Sequence, residues 1–347
     1  MNDLKDSPNR LIEFIKVWVR RALSISLYVC CFGLLLVLFP GLFPLAVITD
    51  LIRKKSWILT RAVIFFPYYF ACEVLGIIVG LVLWIAYLFI RDAEKFLDWN
   101  FALQRWWVNA LAQGAKKLFN FQVDVEGTDE LTRGPVIVFA RHVSVADALL
   151  PAFFIANPNG VRLRYVLKKQ LLWDPCLDIV GNRLPNVFVR RDAGEAYVVN
   201  RLMHDLTPRD GVMIYPEGTR FSRIKQQIIL EKIKAKGEWR LYEQASQLKH
   251  TLPPRLGGAL NLLAMNENAD VIFCAHAGFD GVVDLRDFLN GSLISRTVKI
   301  KFYRVPFAEI PTTREAQINW LMNNWKAIDE WIGQQLMKEK SVVRVQR

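Results

Sequence analysis

Cysteine is scarce: five residues in 347, with Cys30 and Cys31 adjacent in an apolar run and Cys72, Cys176 and Cys274 scattered. No C-x-x-C pair and no histidine spacing of the zinc type accompanies them. A disulfide framework and a metal site are therefore not expected, and the thiols read as buried groups in a reducing compartment. Glycine (19) and proline (15) are ordinary in number. Low-complexity segments and internal repeats are missing, which excludes collagen-like and disordered chains. There is no G-x-S-x-G elbow, so the nucleophilic serine of an α/β-hydrolase is not expected either.

Charge of one sign is also thin: 45 Lys+Arg face 33 Asp+Glu, a formal net charge of +12. Much of the basic excess flanks apolar runs and no nucleic-acid-binding motif is present, so no nucleic-acid partner is expected. Mean hydropathy is +0.18, high for a soluble chain, and the excess is concentrated at one end. From Ala22 to Thr49 there is no charged residue in 28 positions, and from Ala62 to Ile90 only Glu73 is charged. A hydrocarbon core of ~30 Å takes about 20 such residues as helix. The basic hinge Asp50–Trp57 separates the runs. A cleaved signal peptide fits poorly, because the polar lead-in and the apolar stretch are both too long. Pro40, Gly41 and Pro44 predict a kink or re-entry in the first run. Basic residues on every flank fit a hairpin in one leaflet as well as a spanning pair. Trp99, Trp106 and Trp107 follow and fit a membrane interface. Residues 1–100 are expected to form a membrane-anchoring unit and residues 101–347 one larger domain.

In that larger region short apolar runs alternate with helical periods. Strands are expected at Val136–Ala140, Arg164–Leu167, Val187–Val189, Val212–Tyr215, Val271–Ala275 and Val298–Tyr303. Helices are expected at Ala146–Ile155, Gly194–Leu206, Leu256–Met265 and Glu315–Met337. The fold class is α/β: a mostly parallel or mixed sheet flanked by helices, with an N-terminal apolar helical hairpin and ligands outside the carboxyl ends of strands. The cation-rich stretch Arg220–Arg255 reads as a solvated face, or as a surface for anionic lipid.

The four histidines are few enough to weigh singly. His142 follows a predicted strand, and Asp147 lies five residues on. On a regular helix that spacing leaves the two side chains about 140° apart, so they meet only if the chain turns between them. A carboxylate on one imidazole nitrogen would fix the tautomer and free the other as a base. Ser144 between them reads as a helix-start or turn residue rather than a nucleophile. His204 precedes Asp205 within a helical pattern, where neighbours do not share a face. His250 falls in the basic stretch, and His276 reads as a structural histidine.

A second block, Tyr215-Pro-Glu217-Gly218-Thr219-Arg220, ends an apolar strand. Gly218 allows close backbone approach, Arg220 offers a planar fork for phosphate, and Glu217 either bonds a ligand hydroxyl or holds Arg220. Arg190 and Arg191 leave a short strand towards opposite faces, so at most one lines a pocket. Pro253-Pro254-Arg255-Leu-Gly-Gly is a rigid turn into a small-residue helix start, where amides can bind an anion.

Together these blocks resemble the glycerolipid acyltransferase family of the 1-acylglycerol-3-phosphate type, closest to the lysocardiolipin acyltransferase-like branch and similar bacterial enzymes. The resemblance runs from about Trp107 to Met337, through H-x4-D, a strand with arginine, E-G-T-R and a proline block in that order. It departs at Arg141, where the family usually has asparagine. It implies a His142/Asp147 general-base pair acting on the free hydroxyl of a lysophospholipid. The acyl donor would be acyl-CoA or acyl carrier protein as co-substrate, with no other cofactor. Glu217, Gly218, Thr219, Arg220, Pro254 and Arg255, with Arg190 or Arg191, would hold the acceptor. A bacterial inner membrane with the catalytic domain facing the cytoplasm goes with it. Glycerol 3-phosphate as acceptor, and a silent lipid-binding protein on the same fold, are the alternatives.

Overall fold

The computed structural model describes residues 10–54, 56–131, 134–144, 146–189, 195–280 and 290–345. The chain divides into two compact units, Met1–Gly114 with Leu167–Arg190, and Ala115–Val166 with Arg191–Arg347.

The first unit is mostly helical. The apolar runs form α1 (Arg10–Arg53) and α2 (Ile58–Ile90), followed by α3 (Ala93–Phe119). Both α1 and α2 are long and apolar enough to cross a membrane. Only 6% and 17% of their most apolar windows are buried within the protein, which separates them from core helices. The expected break in the first run does not occur: α1 continues through Pro40 and Pro44. Each proline removes one backbone donor, a loss that a long apolar helix tolerates when its other hydrogen bonds persist. Asp50 closes the hinge by accepting from the Thr60 amide and hydroxyl, both at 2.8 Å.

Polar contacts fix the rest of this unit. Arg20 and Arg21 both reach the buried Asp178 carboxylate, at 2.8 and 3.3 Å. Trp107 is not a free interface anchor: its indole N–H donates to the buried Glu73 at 2.8 Å. Trp99 and Trp106 instead line an apolar pocket with Leu75, Val79 and Leu83. Phe101, Leu103, Val180 and Leu184 form the core beneath.

The sheet has seven strands in the order β1-β7-β6-β2-β5-β3-β4. These are β1 (Gln122–Glu126), β2 (Val136–Ala140), β3 (Arg162–Lys168), β4 (Val187–Val189), β5 (Asp210–Ile214), β6 (Asp270–Ala277) and β7 (Thr297–Val305). All the expected strands are present. The extra one, β1, is an edge strand in which two valines alternate with polar residues, so it presents no apolar run. Strand β2 is central and parallel to both β5 and β6. β6 and β7 are antiparallel, so the sheet is mixed. Buried on both faces, β2 reads as an unbroken apolar run, as parallel strands do.

The expected helix at Ala146–Ile155 is instead a 3₁₀ turn, Ala146–Leu149, then a π-type turn, Ala152–Ala156, and the single turn α4 (Asn157–Asn159). Pro151 between the turns lacks the N–H a regular helix needs there. The helices α5 (Pro175–Ile179) and α6 (Glu195–Met203) follow. The cation-rich stretch carries two unanticipated helices, α7 (Arg223–Ala235) and α8 (Trp239–Ser246). The helices α9 (Leu256–Ala264) and α10 (Arg314–Val345) cover the sheet. From α10, Leu321, Trp325, Ile328 and Ile332 form a fully buried stripe at helical spacing. Burying each such side chain contributes about 1.5–3 kcal/mol.

Candidate active site

Because β2, β5 and β6 run parallel, their carboxyl ends share one edge of the sheet, and the site is built there. The segment after β2 supplies His142, the segment after β5 supplies Tyr215–Arg220, and the end of β6 supplies His276.

His142 and Asp147 meet. Nδ1 lies 3.0 Å from Asp147 Oδ1, while Oδ2 accepts the Val143 and Ser144 amides at 2.6 and 2.7 Å. The aspartate therefore folds the chain back on itself in a tight turn, which overcomes the angular problem of the five-residue spacing. With one carboxylate oxygen on Nδ1, that nitrogen carries the proton and Nε2 is the basic one. The ring is 15% exposed and the carboxylate is fully buried. Tyr215 stacks against the imidazole, centroids 4.2 Å apart, limiting its rotation. Ser144 is a turn residue, its amide used by Asp147.

The main chain of His142 is clamped by the second block. Its N–H donates to Glu217 Oε1 at 3.0 Å, and its carbonyl accepts from the Phe221 amide at 2.8 Å. The second oxygen, Glu217 Oε2, accepts the Leu252 amide at 2.9 Å. This corrects the expected role of Glu217: it is buried with both oxygens occupied by backbone, and it neither faces a ligand nor holds Arg220. Burial pushes its carboxyl up to about 8, despite the two amide donors and the nearby Arg141.

Gly218 adopts φ +65, the left-handed region that favours glycine. A methyl built on it would lie 2.7 Å from the Arg255 side chain. The Arg255 amide donates to the Pro216 carbonyl at 2.8 Å, so the E-G-T-R and proline blocks are joined directly. Pro254 is buried in this turn and Arg255 is exposed at the start of α9. Arg220 is half-buried, and Lys225 Nζ donates to its carbonyl and to Thr219 Oγ1 at 2.9 and 3.2 Å. The structure thus brings His142, Asp147, Glu217, Gly218, Thr219, Arg220, Pro254 and Arg255 into one cluster. Arg190 and Arg191 lie outside the described residues.

The roles of two residues, Arg141 and Asp329, could not be read from the sequence. Arg141 is fully buried; its guanidinium forms a two-point pair with Asp280 at 2.6 and 3.2 Å and donates to the His250 and His276 carbonyls, each at 2.8 Å. Burial opposes the Asp280 charge, but the guanidinium and its hydrogen bonds more than offset this and hold its pKa below the usual value. Asp329 of α10 caps the 249–251 turn, accepting all three amides and the Thr251 hydroxyl at 2.7 to 3.0 Å. His276 is structural but sits against the pair, with Nε2 3.1 Å from the Arg141 carbonyl and 3.6 Å from Asp147 Oδ2. Burial lowers its pKa, keeping it neutral. His204 and Asp205 do meet, at 2.6 Å, because the helix has ended and Asp205 takes φ +52; both are exposed and belong to the surface. Among the described residues no cluster of three His, Cys, Asp or Glu could hold a metal ion.

The site thus holds a buried carboxylate on one nitrogen of a partly exposed imidazole, at the carboxyl edge of a mixed α/β sheet. Residues 122–263 match the acyltransferase family model. No curated protein sequence matches the chain. Among solved structures the chain is similar in fold to the 1-acyl-sn-glycerophosphate (LPA) acyltransferase PlsC from Thermotoga maritima, with a TM-score of 0.51 and 14% identity, over 80% of this chain and 96% of that one. The resemblance to glycerolipid acyltransferases read from the motif blocks is borne out by domain and fold.

Proposed function

We propose that the protein transfers a fatty acyl group from an acyl thioester to the free glycerol hydroxyl of lysophosphatidate or a related lysophospholipid. The observation that carries this reading is the 3.0 Å contact between His142 Nδ1 and Asp147 within the matched acyltransferase domain. Support for the acceptor class comes from the PlsC-like fold and from Arg255, whose side chain lies against Gly218.

In this mechanism His142 Nε2 takes the proton from the acceptor hydroxyl as its oxygen attacks the thioester carbonyl. A tetrahedral adduct forms, the C–S bond breaks, and the proton passes to the departing thiolate of CoA or acyl carrier protein. Asp147 holds the tautomer and stabilises the imidazolium. Such general-base help contributes about 10²–10⁴ in rate, and positioning of the two substrates supplies much of the rest. Arg220 and Arg255 bind the acceptor phosphate, and Glu217 acts through the backbone it fixes. The thioester is itself activated, so the reaction as proposed uses it as co-substrate with no bound cofactor. The apolar helices anchor the enzyme in a membrane, on the present reading a bacterial inner membrane with the site on the cytoplasmic side.

The test is direct. Detergent-purified protein receives labelled oleoyl-CoA and lysophosphatidate, in parallel with His142→Ala. Diacyl product from the unaltered chain alone is the expected result. Equal product from His142→Ala would remove the base from the mechanism. No product from either, with acyl carrier protein as donor and a panel of lysolipids also failing, would remove the reaction.

A further inference from the structure

We propose that α7 and the start of α8 form a second membrane contact, a docking surface for a bilayer carrying anionic lipid. It lies on the acyltransferase domain itself and is distinct from α1 and α2. The proposal does not depend on which residue is the base.

The sequence of α7 presents apolar side chains on opposite sides. At 100° per residue, Gln226, Ile229 and Ile233 share one side, which faces the protein. Gln226 is buried there, its amide donating to the Leu248 and Thr251 carbonyls at 2.7 and 3.2 Å. Ile224 and Ile228, one turn apart, lie on the other side and are 71% and 48% exposed. Lys232 borders that stripe on one side and Glu231 on the other, with Arg223 and Lys234 further round the helix beyond Glu231. Trp239 at the start of α8 adds a large ring, 58% exposed. Between 223 and 240 there are six cations against two carboxylates, Glu231 and Glu238. Arg240 at the far end pairs with Glu315 at 2.7 Å.

Exposed isoleucines among flexible cations, with a tryptophan at the edge, match what an interface between water and anionic headgroups selects. Two isoleucines and one indole are too few for a stable protein interface, which takes about 800 Å² per partner. A bilayer needs less, because a chain with helices of membrane-crossing length brings this surface to the lipid at high effective concentration. The surface is also mounted rigidly on the site. Ser222 caps α7 by accepting the Lys225 amide, and Lys225 Nζ bonds Thr219 and Arg220. Docking α7 therefore orients the E-G-T-R loop towards the surface from which a lipid acceptor arrives.

The experiment places a nitroxide at Ile228→Cys, and separately at Trp239→Cys, in the full chain with Cys30 and Cys31 changed to alanine. The protein is reconstituted in vesicles of phosphatidylcholine alone or with phosphatidylglycerol. Collision with oxygen, which concentrates in the bilayer, is compared with collision with a water-soluble nickel chelate. The expected result is oxygen-accessible labels only in the anionic vesicles. Lys232→Glu/Lys234→Glu/Lys236→Glu should return the labels to nickel, since each lysine contributes about fivefold to partitioning onto an anionic surface. Unchanged circular dichroism checks the fold of that variant. Nickel-accessible labels in both lipids overturn the proposal. Oxygen-accessible labels in both overturn its electrostatic basis, and shielding from both reagents assigns the surface to a protein partner instead.

Discussion

The backbone amide of His142 donates to Oε1 of Glu217 at 3.0 Å, while the Glu217 side chain stays out of contact with solvent. One buried carboxyl group thus connects the segments after β2 and β5, and through Oε2 the turn at Leu252. Removing it in Glu217→Ala leaves two buried amides unpaired, at about 1–3 kcal/mol each. The expected outcome is a lowered melting temperature and a reduced kcat, with the acceptor KM little changed. A selective rise in KM would instead make Glu217 a ligand group.

The same residue carries a pH signature. Its carboxyl is pushed up by burial to about 8, whereas an unfolded glutamate titrates near 4.3. Between those values the folded state holds the proton and the unfolded state does not. Its contribution to stability is therefore full below the unfolded value and is lost as pH rises through the folded one. Melting temperatures measured from pH 5 to 9 should fall with this component, and Glu217→Gln should flatten it.

Asp147→Asn tests the pair itself. The amide cannot accept from the ring and from both the Val143 and Ser144 N–H groups as the carboxylate does. A loss of about 10²–10⁴ in kcat is expected, with binding of the acyl donor retained in an equilibrium assay.

Gly218→Ala places a side chain where φ is +65 and pushes Arg255 aside. The left-handed backbone costs about 1–2 kcal/mol. If Arg255 binds the acceptor phosphate, KM for a phosphorylated acceptor rises while that for the acyl donor does not, as steady-state kinetics with each substrate varied would show.

Arg141 and Asp280 differ in exposure, 0% against 28%, and this sets an order. Asp280→Asn leaves a buried guanidinium that cannot deprotonate, so it should destabilise towards the upper end of about 3–5 kcal/mol for a broken buried pair. Arg141→Leu leaves a carboxylate that water partly reaches and should cost less. Denaturant melts of both single variants and the double variant would give the order and the coupling.

Local pattern alone was enough for much of this chain. Apolar runs of helical length with at most one charge identify α1 and α2, and β2, β5 and β6 are recognisable as apolar runs that end in polar, glycine-containing or histidine-containing turns. These features depend on neighbours in sequence, through backbone periodicity and transfer of apolar groups out of water. The order of the blocks also carried the family resemblance. The helix expected after His142 is irregular, a 3₁₀ turn running into a π-type segment, because Asp147 spends its carboxylate on the tight turn before it and Pro151 supplies no N–H.

Tertiary structure decided which polar groups face a ligand and which hold the frame. Glu217 stands beside Gly218 in an exposed-looking motif, yet it is buried because the segment after β2 and the turn before α9 bring two unpaired amides to its oxygens. Arg141 ends an apolar strand, and only the convergence of the His250 turn, the end of β6 and Asp280 supplies the four acceptors that make burial of its charge tolerable. Asp329, far along a helix, reaches the 249–251 turn by the same logic. Such partners lie 75 or more residues away in several cases, beyond any period in the sequence. A buried charge or amide needs a partner in space, and the fold alone determines where that partner is.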